Sequence, residues 1–113
     1  IKARLDKDGF AVRQVFDGQE ALKMLKDFRP DIMIVDLIMP TMSGFEFLET
    51  ISLDPEFSQI PVIILTNLSQ DTDVQKAKQY GVAEYFVKAQ TSIDDVVGAV
   101  KKRLQLQAQA PAQ

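Results

Sequence analysis

The stretch Asp31 to Gly44, DIMIVDLIMPTMSG, constrains this chain more than any other. Ile32, Met33, Ile34 and Val35 follow one another without a polar residue, and the run stops at a carboxylate, Asp36. A short apolar run entered through Arg29-Pro30-Asp31 predicts a strand buried on both faces. Asp36 then falls at the carboxyl end of that strand, where open α/β sheets hold their ligands. Beyond it, Met39-Pro40 imposes an extended turn, and Ser43 is placed to cap a helix over 43–52 carrying Phe45, Leu48 and Ile51. A carboxylate at a strand mouth, beside a loop shaped by proline and glycine, is a candidate chemical site.

The rest of the chain supplies the partners of that strand. Residues 1–8 read as the end of a helix, with Ile1 and Leu5 on one face and Gly9 as its stop. Phe10 to Phe16 reads as a short strand of imperfect alternation near a sheet edge. Asp17 and Glu20 have the spacing of a capping box, and Ala21, Leu22, Leu25 and Phe28 form the inward face of the helix that follows. Ile60 to Thr66 predicts a second strand buried on both faces, ending in a hydroxyl. A helix over 72–80, thinly apolar through Val74, Ala77 and Tyr80, closes at Gly81. Glu84 to Val87 predicts a third strand, ending at Lys88. Thr91 or Ser92 caps the last helix, whose stripe is Ile93, Val96, Val97, Val100 and Leu104. The domain is expected to span 1–104, with 105–113 as a flexible tail.

Strands alternating with helices predict an α/β fold with a doubly wound parallel sheet. The topology then brings Asp36, Thr66 and Lys88 to one edge. Composition narrows the chemistry. The 113 residues contain no cysteine and no histidine, which removes thiolate and imidazole catalysis and metal ligation by either. A net charge of -3 argues against nucleic acid as a partner. No apolar run reaches the roughly 18 residues of a membrane span, so no membrane partner and a cytoplasmic location are expected. An isolated Asp can serve as a nucleophile toward phosphorus when cations and donors hold the product, and a lysine and a hydroxyl on neighbouring strand ends suit that role. The phosphatase-type enzymes that use such an Asp need a second Asp two residues on, where this chain has Ile38, so the chain is read as no enzyme.

Asp36 in a D-x-x-M-P-x-x-x-G pattern with Met39, Pro40 and Gly44, the Leu65-Thr66 strand end, and Gly81 followed by Tyr85 and Lys88 together resemble the receiver domains of bacterial two-component response regulators. The resemblance runs from residue 1 to about 104. It implies a flavodoxin-like sheet of order 2-1-3-4-5, Asp36 as phosphoacceptor, Thr66 as switch hydroxyl, Lys88 as phosphate-binding lysine and Tyr85 as an aromatic switch. It further implies Mg²⁺, held by Asp36 and the backbone carbonyl of Ile38, and a histidine kinase or histidine phosphotransfer protein as phosphodonor. A downstream effector or a homodimer would read the switch.

Three departures accompany the resemblance. The family's first strand and its Mg²⁺-binding acidic pair have no counterpart here and would precede Ile1. Lys88 is followed by Ala89 instead of proline, so a trans bond is expected, the cis form costing about 2.5–4 kcal/mol without proline. Ile38 and Leu68, two residues after Asp36 and Thr66, are apolar and cannot orient water, which predicts a slowly hydrolysing acyl phosphate. The alternative reading is a pseudo-receiver, or a fragment acting as a non-phosphorylated protein-interaction module.

Overall fold

The computed structural model describes residues 1–108. Its elements are α1 (Lys2–Lys7), α2 (Gly18–Asp27), β1 (Met33–Val35), α3 (Gly44–Ser52), β2 (Val62–Thr66), α4 (Asp71–Lys78), β3 (Glu84–Val87), a 3₁₀ turn (Lys88–Gln90) and α5 (Ile93–Ala108). The three strands form one parallel sheet of order β1-β2-β3. Ile64 lies opposite both Val35 and Tyr85, which fixes the register through the middle of the sheet.

Residues of opposite parity on β2 feed opposite layers, as a pleated strand requires. Val62 and Ile64 pack with Leu25 of α2, Phe47, Leu48 and Ile51 of α3, and Ala77 of α4. Ile63 packs on the other side with Leu5 of α1 and with Val97 and Val100 of α5. α1 is also tied to α5 by charge: Arg4 Nη1 lies 2.6 Å from Asp94 Oδ1, and Lys101 Nζ lies 3.1 Å from Asp8 Oδ2. The side chains of Arg4, Asp94 and Lys101 are solvent-exposed and only that of Asp8 is half-buried, so the contribution of these pairs is small beside the apolar contact.

The punctuation of the helices follows the sequence signals closely. Asp17 accepts from the N–H of Glu20 at 2.8 Å, and Ser43 from that of Glu46 at 3.2 Å. At α5 the cap is Ser92, whose hydroxyl and amide both exchange hydrogen bonds with Asp95. Gly9, at φ +96°, ends α1 in a Schellman turn: Phe10 N–H reaches Leu5 O and Gly9 N–H reaches Asp6 O.

Three expectations are corrected. Phe10 to Phe16 is not a strand. A strand exists through its ladder, and among the described residues β1 pairs only with β2, leaving this segment without a neighbour. Phe16 is accordingly 72% exposed. Second, β1 is not buried on both faces over its length: Ile32, Met33 and Ile34 are only partly covered, because one side of the strand is unpaired. β2, flanked on both sides, is buried at Val62, Ile63, Ile64 and Thr66, with Ile63 and Ile64 at 0% exposure, and is partly covered at Leu65. Third, α5 continues to Ala108, so the first part of the stretch expected as a tail is helical. Residues 109–113 lie outside the described residues.

Candidate functional site

The carboxyl ends of the three strands meet as the topology requires. Asp36 follows β1, Thr66 is the last residue of β2, and Lys88 follows β3. Lys88 Nζ lies 2.7 Å from Asp36 Oδ2. The other carboxylate oxygen, Oδ1, accepts from the backbone N–H of Ile38 at 3.0 Å. Burial by itself would raise the Asp36 pKa, but the Lys88 ammonium, the Ile38 N–H and the Thr66 hydroxyl outweigh it and hold the carboxyl below its ordinary value. Asp36 is therefore anionic and held at both oxygens, with its side chain 31% exposed.

Thr66 is fully buried. Its Oγ1 accepts weakly from the N–H of Leu68 at 3.4 Å, while the carbonyl of Leu68 accepts from the Tyr85 hydroxyl at 2.7 Å. The loop after β2 is thus gripped from the strand beneath and from the neighbouring strand. Burial raises the Tyr85 pKa, and the charges of Asp73 and Asp36 raise it further, so the phenol stays protonated and remains a donor. The Lys88-Ala89 bond is trans, as the residue types require.

On the other side of Asp36 the loop to α3 carries Thr41 at φ +65°. A β-branched residue in the left-handed region is strained by about 1–2 kcal/mol. Thr41 is exposed and its side chain has little to lose. Thr41→Asn is expected to raise the unfolding free energy by about 0.5–1 kcal/mol, since asparagine tolerates this conformation. Urea unfolding of the two chains measures it, and an unchanged or lower midpoint would show that the loop carries no such strain.

Of the residues to which the sequence points, Asp36, Thr66 and Lys88 lie at the carboxyl ends of the three strands. Tyr85 lies lower on β3, opposite Ile64, and its hydroxyl reaches the loop after β2. Nothing in the residue types marks the Leu68 carbonyl as the partner of Tyr85, because a backbone acceptor has no sequence signal. Nor do they mark Lys76, whose ammonium sits 4.5 Å from the centre of the Phe45 ring and ties α4 to the start of α3.

The family model for the response regulator receiver domain matches residues 1–101. The chain belongs to that family. The receiver is 33% identical over 88 residues to Protein PilH of Pseudomonas aeruginosa, covering 78% of this chain and 73% of that one. It is 34% identical over 101 residues to sporulation initiation phosphotransferase F of Bacillus subtilis, covering 89% and 79% of the two. Among solved structures, the signal receiver domain of a signal transduction histidine kinase from Syntrophus aciditrophicus superposes with a TM-score of 0.81 at 31% identity, covering 99% of this receiver and 83% of that chain. Three other curated relatives are longer, and the receiver spans 48%, 32% and 38% of them. Such neighbours share the flavodoxin-like α/β fold. Receiver domains act in phosphoryl-accepting signalling and are not classical enzymes.

Receiver domains generally bind Mg²⁺ at an acidic pocket. The donor set here falls short of one. Among the described residues no three carboxylates cluster, and one oxygen of Asp36 already faces an ammonium. The Asp36 carboxylate and the Ile38 carbonyl would supply part of an octahedral shell of hard oxygen ligands, and the described residues do not complete it. No helix among the described residues is long and apolar enough to cross a membrane.

Proposed function

We propose that Asp36 accepts a phosphoryl group from a histidine kinase or histidine phosphotransfer protein, and that the receiver works as a cytoplasmic two-component switch. The observation that carries this reading is the meeting of Asp36, Thr66 and Lys88 at three adjacent strand ends, with Lys88 2.7 Å from the carboxylate. A carboxylate oxygen of Asp36 attacks phosphorus, an O–P bond forms, and the P–N bond to the donor imidazole breaks with its electron pair leaving on nitrogen. Lys88 then turns from the carboxylate to a phosphoryl oxygen, as a mobile point charge is suited to do. The Thr66 hydroxyl donates to the same group. Its movement loosens the hold on Leu68, and Tyr85 follows through the bond it makes to that residue. A downstream effector or a second copy of the chain would read the displaced loop and α4.

A second reading is favoured by one observation: Asp36 has no partner carboxylates among the described residues. In that reading the chain is a pseudo-receiver that binds a partner without phosphorylation. Treatment with acetyl phosphate and Mg²⁺, followed by intact-mass measurement, separates the two. The receiver is expected to gain one phosphoryl group and Asp36→Asn none. An adduct that survives in Asp36→Asn would overturn the assignment. So would no adduct on the wild-type chain, even after a strand carrying two acids is fused ahead of Ile1.

A further inference from the structure

One peptide unit beside Asp36 is held at both ends. The carbonyl of Leu37 accepts from the N–H of Gly44 at 3.0 Å. The N–H of the same unit, that of Ile38, donates to Asp36 Oδ1 at 3.0 Å. Gly44 opens α3, so its N–H is among the first-turn donors that lack an intrahelical acceptor. Here that donor is aimed back at the loop following β1.

Glycine is required for the approach. A Cβ on Gly44 would lie 2.4 Å from Leu37 Cα and 2.7 Å from the Asp36 carbonyl oxygen. Both are backbone atoms that cannot rotate away. The backbone of Gly44 is not in the left-handed region, unlike that of Gly9 and Gly81. Contact, not conformational freedom, selects glycine at this position.

We infer that Gly44 is a positioning residue for Asp36, its N–H orienting the Leu37–Ile38 peptide so that Ile38 N–H fixes one carboxylate oxygen and turns the other toward Lys88 and the phosphodonor. The inference rests on the phosphoacceptor reading for its kinetic consequence, but its geometric content concerns Asp36 alone. A purely steric role for Gly44 would need the missing side chain and would make no use of the N–H. The two roles therefore separate when the N–H is removed and no atom is added.

The test replaces the Gly44 amide by a backbone ester, with glycolic acid at position 44 of the full chain. A matching ester at Phe47 removes an ordinary α3 hydrogen bond, that to the carbonyl of Ser43, and serves as the control. The Ile38 amide is followed by nitrogen-15 NMR, as its proton shift and hydrogen-exchange rate, adduct formation with acetyl phosphate by intact mass, and folding by thermal melting. The Gly44 ester is expected to move the Ile38 amide proton upfield and to speed its exchange, because the released peptide no longer holds its N–H on Asp36 Oδ1. It is also expected to slow adduct formation about tenfold, the effect of about 1.4 kcal/mol at the transition state. The Phe47 ester is expected to lower the melting temperature comparably and to leave the Ile38 amide signal in place. Identical Ile38 signals for the Gly44 ester and the wild-type chain would overturn the inference, as would equal changes in the two esters. If the wild-type chain takes no phosphoryl group, the phosphoacceptor reading fails while the Ile38 amide still decides the role of Gly44.

Discussion

Ile64→Ala is expected to lower the unfolding free energy by about 2–5 kcal/mol, the range for truncating a fully buried isoleucine. Ile64 has no exposure and stands at the centre of the sheet, opposite Val35 on one side and Tyr85 on the other. Its side chain belongs to the layer formed with Leu48, Phe47 and Val35. Small domains have total stabilities of about 5–15 kcal/mol, so a loss of this size removes a large fraction of the native margin. The cost has two parts, the lost transfer of the deleted groups and the cavity left in a layer pinned by helices on one side and a ladder on the other. Leu53→Ala is the control: Leu53 is 76% exposed, and its truncation should change stability by no more than about 0.5 kcal/mol. Urea unfolding measures both, and similar midpoints for the two variants would refute this account of the core.

The second large effect concerns the lifetime of the phosphorylated state. Ile38 is 62% exposed at the mouth of the site and follows Asp36 by two residues. Its backbone N–H engages the carboxylate, but its side chain offers an attacking water neither donor nor acceptor. Leu68, by the loop after β2, is equally apolar. In the proposed switch, hydrolysis of the acyl phosphate would therefore proceed without a side chain at either position to orient water. Ile38→Asn is expected to shorten the half-life of the phosphorylated chain about tenfold, because one water-orienting hydrogen bond is worth about 1–1.5 kcal/mol at the transition state. Ile38→Ala should change it little, since it removes bulk and adds no polar group. The decay of the adduct mass after removal of the donor gives both numbers. Equal acceleration by the two substitutions would show that bulk, and not chemistry, protects the acyl phosphate.

The parts of the fold that could be read from the residues are those governed by local physics. Asp17, Ser43, Gly9 and Gly81 mark helix ends through hydrogen bonds or backbone conformation within a few residues, and each does so in the structure. Asp36, Thr66 and Lys88 were legible because each ends an apolar run, and parallel strands bring such ends together. Phe10 to Phe16 has the residues of a strand and does not form one, for the complementary reason: whether an extended segment becomes a strand depends on a neighbour that its own residues do not contain. The choice of Ser92 over Thr91 as cap turned on one residue of register, and Thr91 instead gives its hydroxyl to the carbonyl of Val87. The Leu68 carbonyl and the Gly44 N–H stayed hidden because main-chain groups are the same at every position. Only the tertiary fold says which of them face a functional side chain.

The pair made by Lys88 and Asp36 joins residues 52 apart, across two crossovers and three strands. A slip of one residue in the pairing of β3 would displace Lys88 by about 3.3 Å along the strand and turn its side chain to the opposite face. The anion would then lose its counter-charge, and with it the group that the proposed switch uses to stabilise an incoming phosphoryl. On that reading competence at Asp36 depends on the alignment of the strands, and a chain with β3 out of register is expected to accept no phosphoryl group.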